Sequence, residues 1–261
     1  MAEVIKRSRI QVWQDVIFAI FLREIRSQFN DKFGISWAIV NPLIFIFVLS
    51  YGRSMLMGDT THAMPTFMFM LFGMLFVQLF LGTLGAASTA IKKNKPLFAF
   101  RQVQPISAVI ALVLFELLVN IVIIIVLFAL IYFMKFEAQL NNPLLIGGYL
   151  LQLWLISVSL GLIFAIAASF ISEIQKIQSL LQRPMFFLSG IFFSLQDIPK
   201  EYWGYLDWNP VLHAVELSRD AAYPTFGAQG VSDTYLLSCT IVLVFFALAC
   251  YRITWKQVLS R

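Results

Sequence analysis

The sequence predicts an all-α polytopic membrane protein, and three observations support that prediction. Hydrophobic residues make up 60% of the 261 residues and charged residues only 13%, whereas soluble domains average roughly 45–50% apolar and 25% charged residues. The apolar residues are gathered into long runs, and the lysines and arginines concentrate in alternate connections between them. A chain of this length cannot bury so much apolar surface in one soluble core, so it requires lipid as its solvent.

Six apolar runs predict six transmembrane helices, because each is long or nearly long enough to cross roughly 30 Å of hydrocarbon at about 1.5 Å per residue. They cover residues 35–51, 67–90, 106–134, 144–171, 177–193 and 235–251. With both termini in the cytoplasm, fifteen lysines and arginines fall in inner segments and four in outer ones, namely Arg53, Lys135, Lys200 and Arg219. Positive residues that flank spans are retained inside, so this asymmetry predicts cytoplasmic termini and an even number of spans.

Two regions outside the spans are predicted to carry helices of their own. In the cytoplasmic N-terminus, residues 1–33, apolar residues recur at helical spacing and predict an amphipathic helix in the membrane interface, with packing on another protein surface as the alternative. Residues 34–261 are predicted to form one six-span transmembrane domain. Its external segment, about 195–234, is predicted to hold short re-entrant helices before the last span, one of them capped by Asn209 and begun by Pro210.

The absence of metal-binding and ATP-binding motifs from the sequence, and the small number of ionisable residues in the predicted spans, reduce the number of possible functions. His62 and His213 have no cysteine or second histidine at metal-ligand spacing, so we expect no metal site. No phosphate-binding loop of the Gly-x-x-x-x-Gly-Lys-Ser/Thr type occurs, so the chain is not expected to hydrolyse ATP. Glu116 is the clearest ionisable residue within a span. Secondary transporters coupled to ions normally show several such groups, so an external energy source is favoured.

Four segments carry a resemblance to a known family. They are residues 22–26 (LREIR), 34–42 (GISWAIVNP), 98–105 (FAFRQVQP) and, most specifically, 198–220 (IPKEYWGYLDWNPVLHAVELSRD). Together they resemble the capsular polysaccharide export branch of the ABC-2 type transporter permeases, over about residue 21 to the C-terminus. The pattern at 29–33, FNDKF, departs from the one usual before the first span in that family.

The resemblance implies a permease subunit that moves lipid-linked capsular polysaccharide out of the cytoplasm through a bacterial inner membrane. It implies a homodimer bound to two cytoplasmic ATPase subunits, which hold ATP and Mg, while this chain itself holds no cofactor. It further implies a periplasmic adaptor and an outer-membrane polysaccharide export channel as partners, beside membrane lipid and with no nucleic acid. Small residues at every fourth position predict packing seams on two spans: Ser157, Gly161, Ala165 and Ser169 on the fourth, and Gly82, Ala86 and Ala90 on the second. Six helices packed in this way leave little room for a hydrated sugar chain, which also favours a second copy.

The candidate site residues form four groups. A coupling segment for the ATPase is predicted from basic and aromatic residues in one inner connection: Lys92, Lys93, Lys95, Pro96, Phe98 and Arg101. Conduit-lining residues are predicted from one helical stripe of the fifth span, with a tryptophan at the inner mouth: Trp37, Gln178, Gln182, Phe186, Ser189 and Phe193. A cytoplasmic entrance for cargo is predicted at Arg23, Arg26 and Lys32. The external re-entrant segment contributes Tyr202, Trp203, Tyr205, Trp208, Asn209, Glu216 and Arg219.

Other interpretations remain open at the level of sequence. The cargo of an ABC-2 exporter is alternatively O-antigen, teichoic acid or a drug. The basic residues of the coupling segment alternatively serve only to keep this connection on the cytoplasmic side, without binding an ATPase. The external aromatic residues are alternatively an ordinary aromatic belt at the membrane interface. A membrane enzyme acting on lipid-linked sugars is a further alternative, against which the missing acid and metal clusters argue.

Overall fold

A computed structural model describes residues 8–29, 34–136 and 138–260, which are mostly helical. The α-helices within these ranges are α1 (Arg9–Phe29), α2 (Gly34–Met57), α3 (Thr66–Lys93), α4 (Pro105–Phe133), α5 (Pro143–Phe170), α6 (Ile174–Leu188), α7 (Pro210–Ala222) and α8 (Asp233–Ser260). Short 3₁₀ helices span Lys95–Ala99, Leu195–Asp197 and Lys200–Tyr205, and the strands β1 (Thr60–Thr61) and β2 (Met64–Pro65) pair as an antiparallel hairpin. The predicted all-α class is therefore confirmed.

Five helices of the described chain are long and apolar enough to cross a membrane. These segments are Trp37–Met57, Thr66–Lys93, Pro105–Phe133, Pro143–Phe170 and Asp233–Leu259. The fifth predicted span, residues 177–193, corresponds to α6, which has only 15 residues and ends at Leu188. A helix of that length rises about 22 Å, less than the roughly 30 Å of hydrocarbon. The six-span count and the placement of both termini in the cytoplasm accordingly stay predictions.

The centre of the fold is α3, which packs against α2, α4 and α5. Its sequence is apolar on every face, from Phe67 to Leu84, and these side chains are almost all buried. A helix that is hydrophobic all round is expected inside a bundle. By contrast, α2 and α8 bury few of their apolar side chains, as helices that face lipid or another subunit do.

A seam of small residues brings α3 and α5 together, and α5 carries the seam predicted from sequence. Ser157 and Ala165 are buried, and a Cβ added at Gly161 between them would collide with the Cβ of Ala87 and lie 3.1 Å from the carbonyl oxygen of Leu84. Helices approach this closely in lipid only where side chains are small.

The N-terminal α1 is a 21-residue helix within the region where the amphipathic helix is predicted. It packs against α4 and α2 through one face, on which Ile20 is buried, while Ile10 and Phe18 are exposed. Because α1 buries one face on this chain's own helices, part of its apolar stripe is used for packing. Its position in the membrane interface stays a prediction.

The external segment folds into two 3₁₀ helices and α7. As predicted, Asn209 caps α7: its side-chain Oδ1 accepts a hydrogen bond from the backbone N–H of Val211 at 3.0 Å, and Pro210 is the first helical residue. Instead of lying on the surface, α7 packs against α3, α5 and α8, and most of its side chains are buried. The depth of this segment in the outer leaflet stays a prediction.

Candidate functional site

A groove lies beside α3, between α2, α3 and α6. Its cavity of about 560 Å³ is lined by Phe45, Gln78, Leu81, Ser179, Gln182, Arg183, Phe186 and Phe187. The Nε2 of Gln182 donates to the carbonyl oxygen of Leu81 at 3.2 Å, which fixes α6 against α3. The ring centroid of Phe186 lies 6.0 Å from that of Phe45, so α6 and α2 also meet through aromatic side chains.

Two of the predicted conduit-lining residues, Gln182 and Phe186, face this groove. The helical projection of α6 that included Ser189 and Phe193 does not hold, because the helix ends at Leu188. Ser189 is buried, donates to the carbonyl oxygen of Met185 at 2.6 Å and lies 3.2 Å from the Nδ2 of Asn209.

The other two predicted lining residues lie elsewhere. Gln178 is buried, and its Nε2 has no hydrogen-bond partner among the described residues. Trp37, at the start of α2, is 62% exposed and is not among the residues that line the groove.

Sequence reasoning missed Arg183 of α6 and Gln78 of α3, which both line the groove. A basic residue within an apolar run is itself a signal of function, since a charge in lipid is costly. That signal was available for Arg183. Gln78 is a single amide inside a long apolar run, and only the packing of α3 shows which way it faces.

The predicted coupling segment lies at the end of α3 and in the 3₁₀ helix Lys95–Ala99. Lys92, Lys95 and Phe98 line a smaller cavity of about 180 Å³ together with residues of α5, α6 and α8. The Nζ of Lys92 donates to the Oε1 of Gln175 at 3.1 Å. The ends of these four helices and the 3₁₀ helix thus form one surface, and Pro96 and Arg101 of the coupling segment are exposed.

One aromatic residue in this segment was missed. Phe98 is only partly exposed and packs against the buried cluster around Ala87 and Val109, whereas Phe100, two residues later, is 61% exposed. A ring that already packs within the subunit has less area to offer a partner. Phe100 is therefore the more accessible aromatic residue of the coupling segment.

Two polar contacts attach α1 to the same surface. The guanidinium of Arg23 donates to the Oδ1 of Asn94, and the Nζ of Lys93 pairs with the carboxylate of Glu24. Asn94 and Glu24 are buried, whereas Arg23 and Lys93 are exposed, so each contact joins one buried and one exposed side chain. Of the predicted cargo entrance, Arg23 is engaged in this contact, Arg26 is exposed on α1, and Lys32 lies outside the described residues.

The external segment is held by a buried ion pair that the sequence did not indicate. Glu216 and Arg219 both lie on α7 with side chains fully buried, and Arg219 Nη1 donates to Glu216 Oε1 at 2.9 Å. Arg219 also donates to the carbonyl oxygen of Phe69 from Nε at 3.1 Å and from Nη2 at 2.9 Å. Burial lowers the pKa of Arg219 to about 10, so it keeps its charge at neutral pH.

The partners of this pair span the external part of the fold. Glu216 Oε2 accepts from the hydroxyl of Ser194 at 2.7 Å, and the guanidinium of Arg219 lies 3.5 Å from the ring centroid of Phe69. The sequence predicts both residues in the external segment, with Arg219 as one of the outer charges. The structure buries both side chains in the protein interior, where they connect α7, α3 and the turn after α6.

The aromatic residues of the external segment divide into two kinds. Trp203 is anchored, since its Nε1 donates to the carbonyl oxygen of Ile198 at 2.8 Å and its ring packs on Gly230. Tyr202, Tyr205 and Trp208 are 55%, 76% and 57% exposed, spaced three residues apart. A 3₁₀ helix has three residues per turn, so Tyr202 and Tyr205 share one face of it.

Comparison with known proteins identifies the chain. The model of the ABC-2 type transporter family matches residues 15–223. The chain belongs to that family. The polysialic acid transport protein KpsM of Escherichia coli is 35% identical over 259 residues, which cover 97% of this chain and 99% of the relative. The capsule polysaccharide export inner-membrane protein CtrC of Neisseria meningitidis serogroup A is 25% identical over 258 residues, covering 95% and 96%.

A third relative carries the same kind of name. The capsule polysaccharide export inner-membrane protein BexB of Haemophilus influenzae is 24% identical over 241 residues, which cover 88% of this chain and 89% of the relative. The matches to these ABC-2 permeases therefore extend over most of the chain, including the external segment and the groove.

Proposed function

We propose that this chain is the membrane-spanning permease of an exporter of capsular polysaccharide in a bacterial inner membrane, multi-pass and with both termini cytoplasmic. The observation that carries the proposal is the similarity to polysialic acid and capsule polysaccharide export proteins along nearly the whole chain. The groove between α2, α3 and α6 supports it, since amides, a guanidinium and aromatic rings offer a sugar polymer several weak contacts.

The experiment that tests this function is deletion of the gene and assay of capsule. Loss of surface polysaccharide with accumulation inside the cell, reversed by the wild-type chain, is the expected result. A strain that keeps its capsule but loses another surface polymer or resistance to a drug would assign a different cargo to the same family.

The energy for transport comes, in this proposal, from two cytoplasmic ATPase subunits. The coupling segment offers them exposed Lys95, Arg101 and Phe100 beside the cavity at the end of α3. Exposed aromatic and arginine side chains are the usual anchors of protein interfaces. Replacing Phe100 by Asp is expected to release the ATPase on purification, and replacing Phe98 by Asp to uncouple transport or release the ATPase as well.

The matched control is Phe187→Asp, which changes an exposed phenylalanine of the groove and not of the coupling segment. The ATPase should remain bound to this variant. If both coupling-segment variants copurify with stoichiometric ATPase and export normally, the proposed coupling role is wrong.

The permease is proposed to act as a homodimer. The groove is lined in part by α2, which buries few of its apolar side chains, and in this proposal a second copy covers α2 and closes the groove into a conduit. Light scattering of the purified complex should give two permeases with two ATPases. A complex with one permease would contradict the proposed homodimer.

A periplasmic adaptor and an outer-membrane channel are the remaining partners of this proposal. Tyr202, Tyr205 and Trp208 form the exposed aromatic surface of the external segment. We assign this surface to contact with the adaptor or with the outer leaflet of the inner membrane. Replacing all three by serine should weaken crosslinking to the adaptor and leave the ATPase bound. Unchanged crosslinking and export would remove this role.

A further inference from the structure

A second cavity, of about 470 Å³, lies between α2, α3 and α4 and contains the carboxylate of Glu116. The other polar side chains that line it are Asn41, Gln78 and Asn120. Glu116 is eleven residues from the start of α4, or about 16 Å along the helix, and α4 continues for about 25 Å beyond it. The carboxylate therefore lies deep within the span. We call this cavity the Glu116 chamber.

Glu116 is not satisfied by the protein around it. Its only hydrogen-bond partner among the described residues is the Nδ2 of Asn120, at 3.4 Å. That amide makes its shorter bond, 2.9 Å, to the carbonyl oxygen of Glu116 in the helix backbone. An unpaired polar group inside a membrane protein is costly unless water or a ligand meets it, and such residues mark transport pathways.

The neighbouring helix keeps space for this carboxylate. A Cβ added at Gly82 on α3 would collide with the Oε1 of Glu116, so a larger residue there would move the carboxyl group away from α3. The groups Glu116, Gln78 and Asn41 thus come from three different helices and meet at one cavity. Neither Gln78 nor Asn41 makes a side-chain hydrogen bond to another described residue.

The Glu116 chamber adjoins the groove already described. Phe45 and Gln78 line both cavities, so these two side chains form the boundary between them. Arg183 lines the groove on the α6 side, and Glu116 lines the chamber on the α4 side. The two neighbouring cavities therefore offer a carboxyl group in one and a basic residue in the other.

We propose that the Glu116 chamber is a binding station for sugar hydroxyl groups of the exported polymer, a proposal that rests on the function proposed above. A carboxyl group accepts hydrogen bonds in either protonation state, amides both donate and accept, and hydroxyl groups do both, so the two sets of groups match. Cavities of roughly 300–1,000 Å³ are the size that holds small-molecule ligands. No cationic side chain lines the chamber among the described residues, so the chamber takes the hydroxyl-bearing part of the cargo, and acidic groups are left to Arg183 in the groove.

The first experiment measures access and occupancy. Cys239 and Cys250 are replaced by alanine, and single changes Asn41→Cys and Gln78→Cys are made in the chamber wall. Leu118→Cys and Ile121→Cys, exposed and on the other side of α4, are the controls. A water-soluble thiol reagent is applied to cells that make the polymer and to cells in which its synthesis is deleted.

The chamber positions should react in the cells without polymer and be protected several-fold in the cells that make it. The controls should be unreactive in both, as lipid-facing positions are. Equal labelling with and without polymer would mean that water alone fills the chamber. No labelling in either strain would mean that lipid occupies it, and either result overturns the proposal.

The second experiment changes the carboxylate itself. Glu116→Leu removes the acceptor without placing a new polar group in the span and should lower export at least tenfold, with normal protein amount and normal ATPase copurification. Glu116→Gln keeps one carbonyl oxygen as acceptor and should retain part of the activity. If gene deletion abolishes the capsule but Glu116→Leu exports normally, the chamber proposal fails while the proposed function stands.

Discussion

The carboxylate of Glu216 and the guanidinium of Arg219 form an ion pair at 2.9 Å, with both side chains fully buried one turn apart on α7. Removing one partner of such a pair leaves an uncompensated buried charge, which costs about 3–5 kcal/mol. Arg219→Met and Glu216→Leu should each destabilise the protein by that amount in detergent unfolding experiments. The double variant should lose less than the sum, because it leaves neither charge alone.

The control for this pair is Glu201→Gln, since Glu201 is an exposed carboxylate of the same external segment. It should change the free energy of unfolding by no more than about 0.5 kcal/mol. Strict additivity of the two single losses in the double variant would contradict coupling between Glu216 and Arg219.

His213 should make the stability of the external segment depend on pH. Burial lowers the pKa of His213. Its Nε2 lies 2.7 Å from the carbonyl oxygen of Asp207, and its Nδ1 accepts from the backbone N–H of Ser232 at 3.0 Å. A proton on Nδ1 would break the second bond, so the folded state holds the neutral ring.

The sign follows from proton binding. The unfolded state, with a histidine pKa of about 6.5, binds more protons than the folded state, so stability falls as pH drops below about 6.5. The loss is at most about 1.4 kcal/mol per pH unit for one group. His213→Gln should flatten the curve between pH 7 and 5, whereas His62→Gln should retain the loss. A wild-type curve that is flat over this range would contradict the prediction.

Gly161 should not tolerate a methyl group. Gly161→Ala places a Cβ against Ala87 of α3 and forces the two helices apart, at a cost of about 1–3 kcal/mol for overpacking. Gly148, on the same helix α5, has no atom within 4 Å of an added Cβ. Gly148→Ala should therefore be neutral or slightly stabilising in the same unfolding assay. Equal effects of the two changes would show that the seam is not tightly packed.

The pair of Glu24 and Lys93 should hold α1 on the coupling surface. Glu24 is buried while Lys93 is half exposed, so Glu24→Ala should cost about 1–3 kcal/mol. If this pair attaches α1, Glu24→Ala should also speed amide hydrogen exchange in α1 and change it little in α5. Arg26→Gln, an exposed change on α1, is the control and should leave exchange unaltered. Unchanged exchange in α1 of Glu24→Ala would remove this attachment.

Much of the fold follows from local sequence properties. Composition and apolar run length predict the long membrane helices, and the dipeptide Asn209–Pro210 predicts the start of α7, because capping depends only on neighbouring residues. The failure at the fifth span has a local reason too. Residues 189–193 are apolar enough to extend a helix, but Gly190 has φ +74° and the chain turns there toward the external segment.

The candidate site was only partly predictable. Helical spacing correctly predicted that Gln182 and Phe186 lie on one face, but it also included Ser189. Ser189 instead accepts a hydrogen bond from Asn209 of the external segment. A basic segment after α3 was visible in the sequence, yet the greater exposure of Phe100 than Phe98 depends on what the rest of the bundle covers.

The sequence by itself determined that this chain is a helical membrane protein, where most of its helices lie and to which transporter family it belongs. Only the tertiary structure decided which polar groups meet. Arg219 bonds to the carbonyl oxygen of Phe69, 150 residues away, and Glu116 shares a chamber with Gln78 and Asn41 from other helices. Helix formation depends on neighbours along the chain, whereas burial and pairing of charges depend on how distant helices pack, which spacing along one helix does not encode.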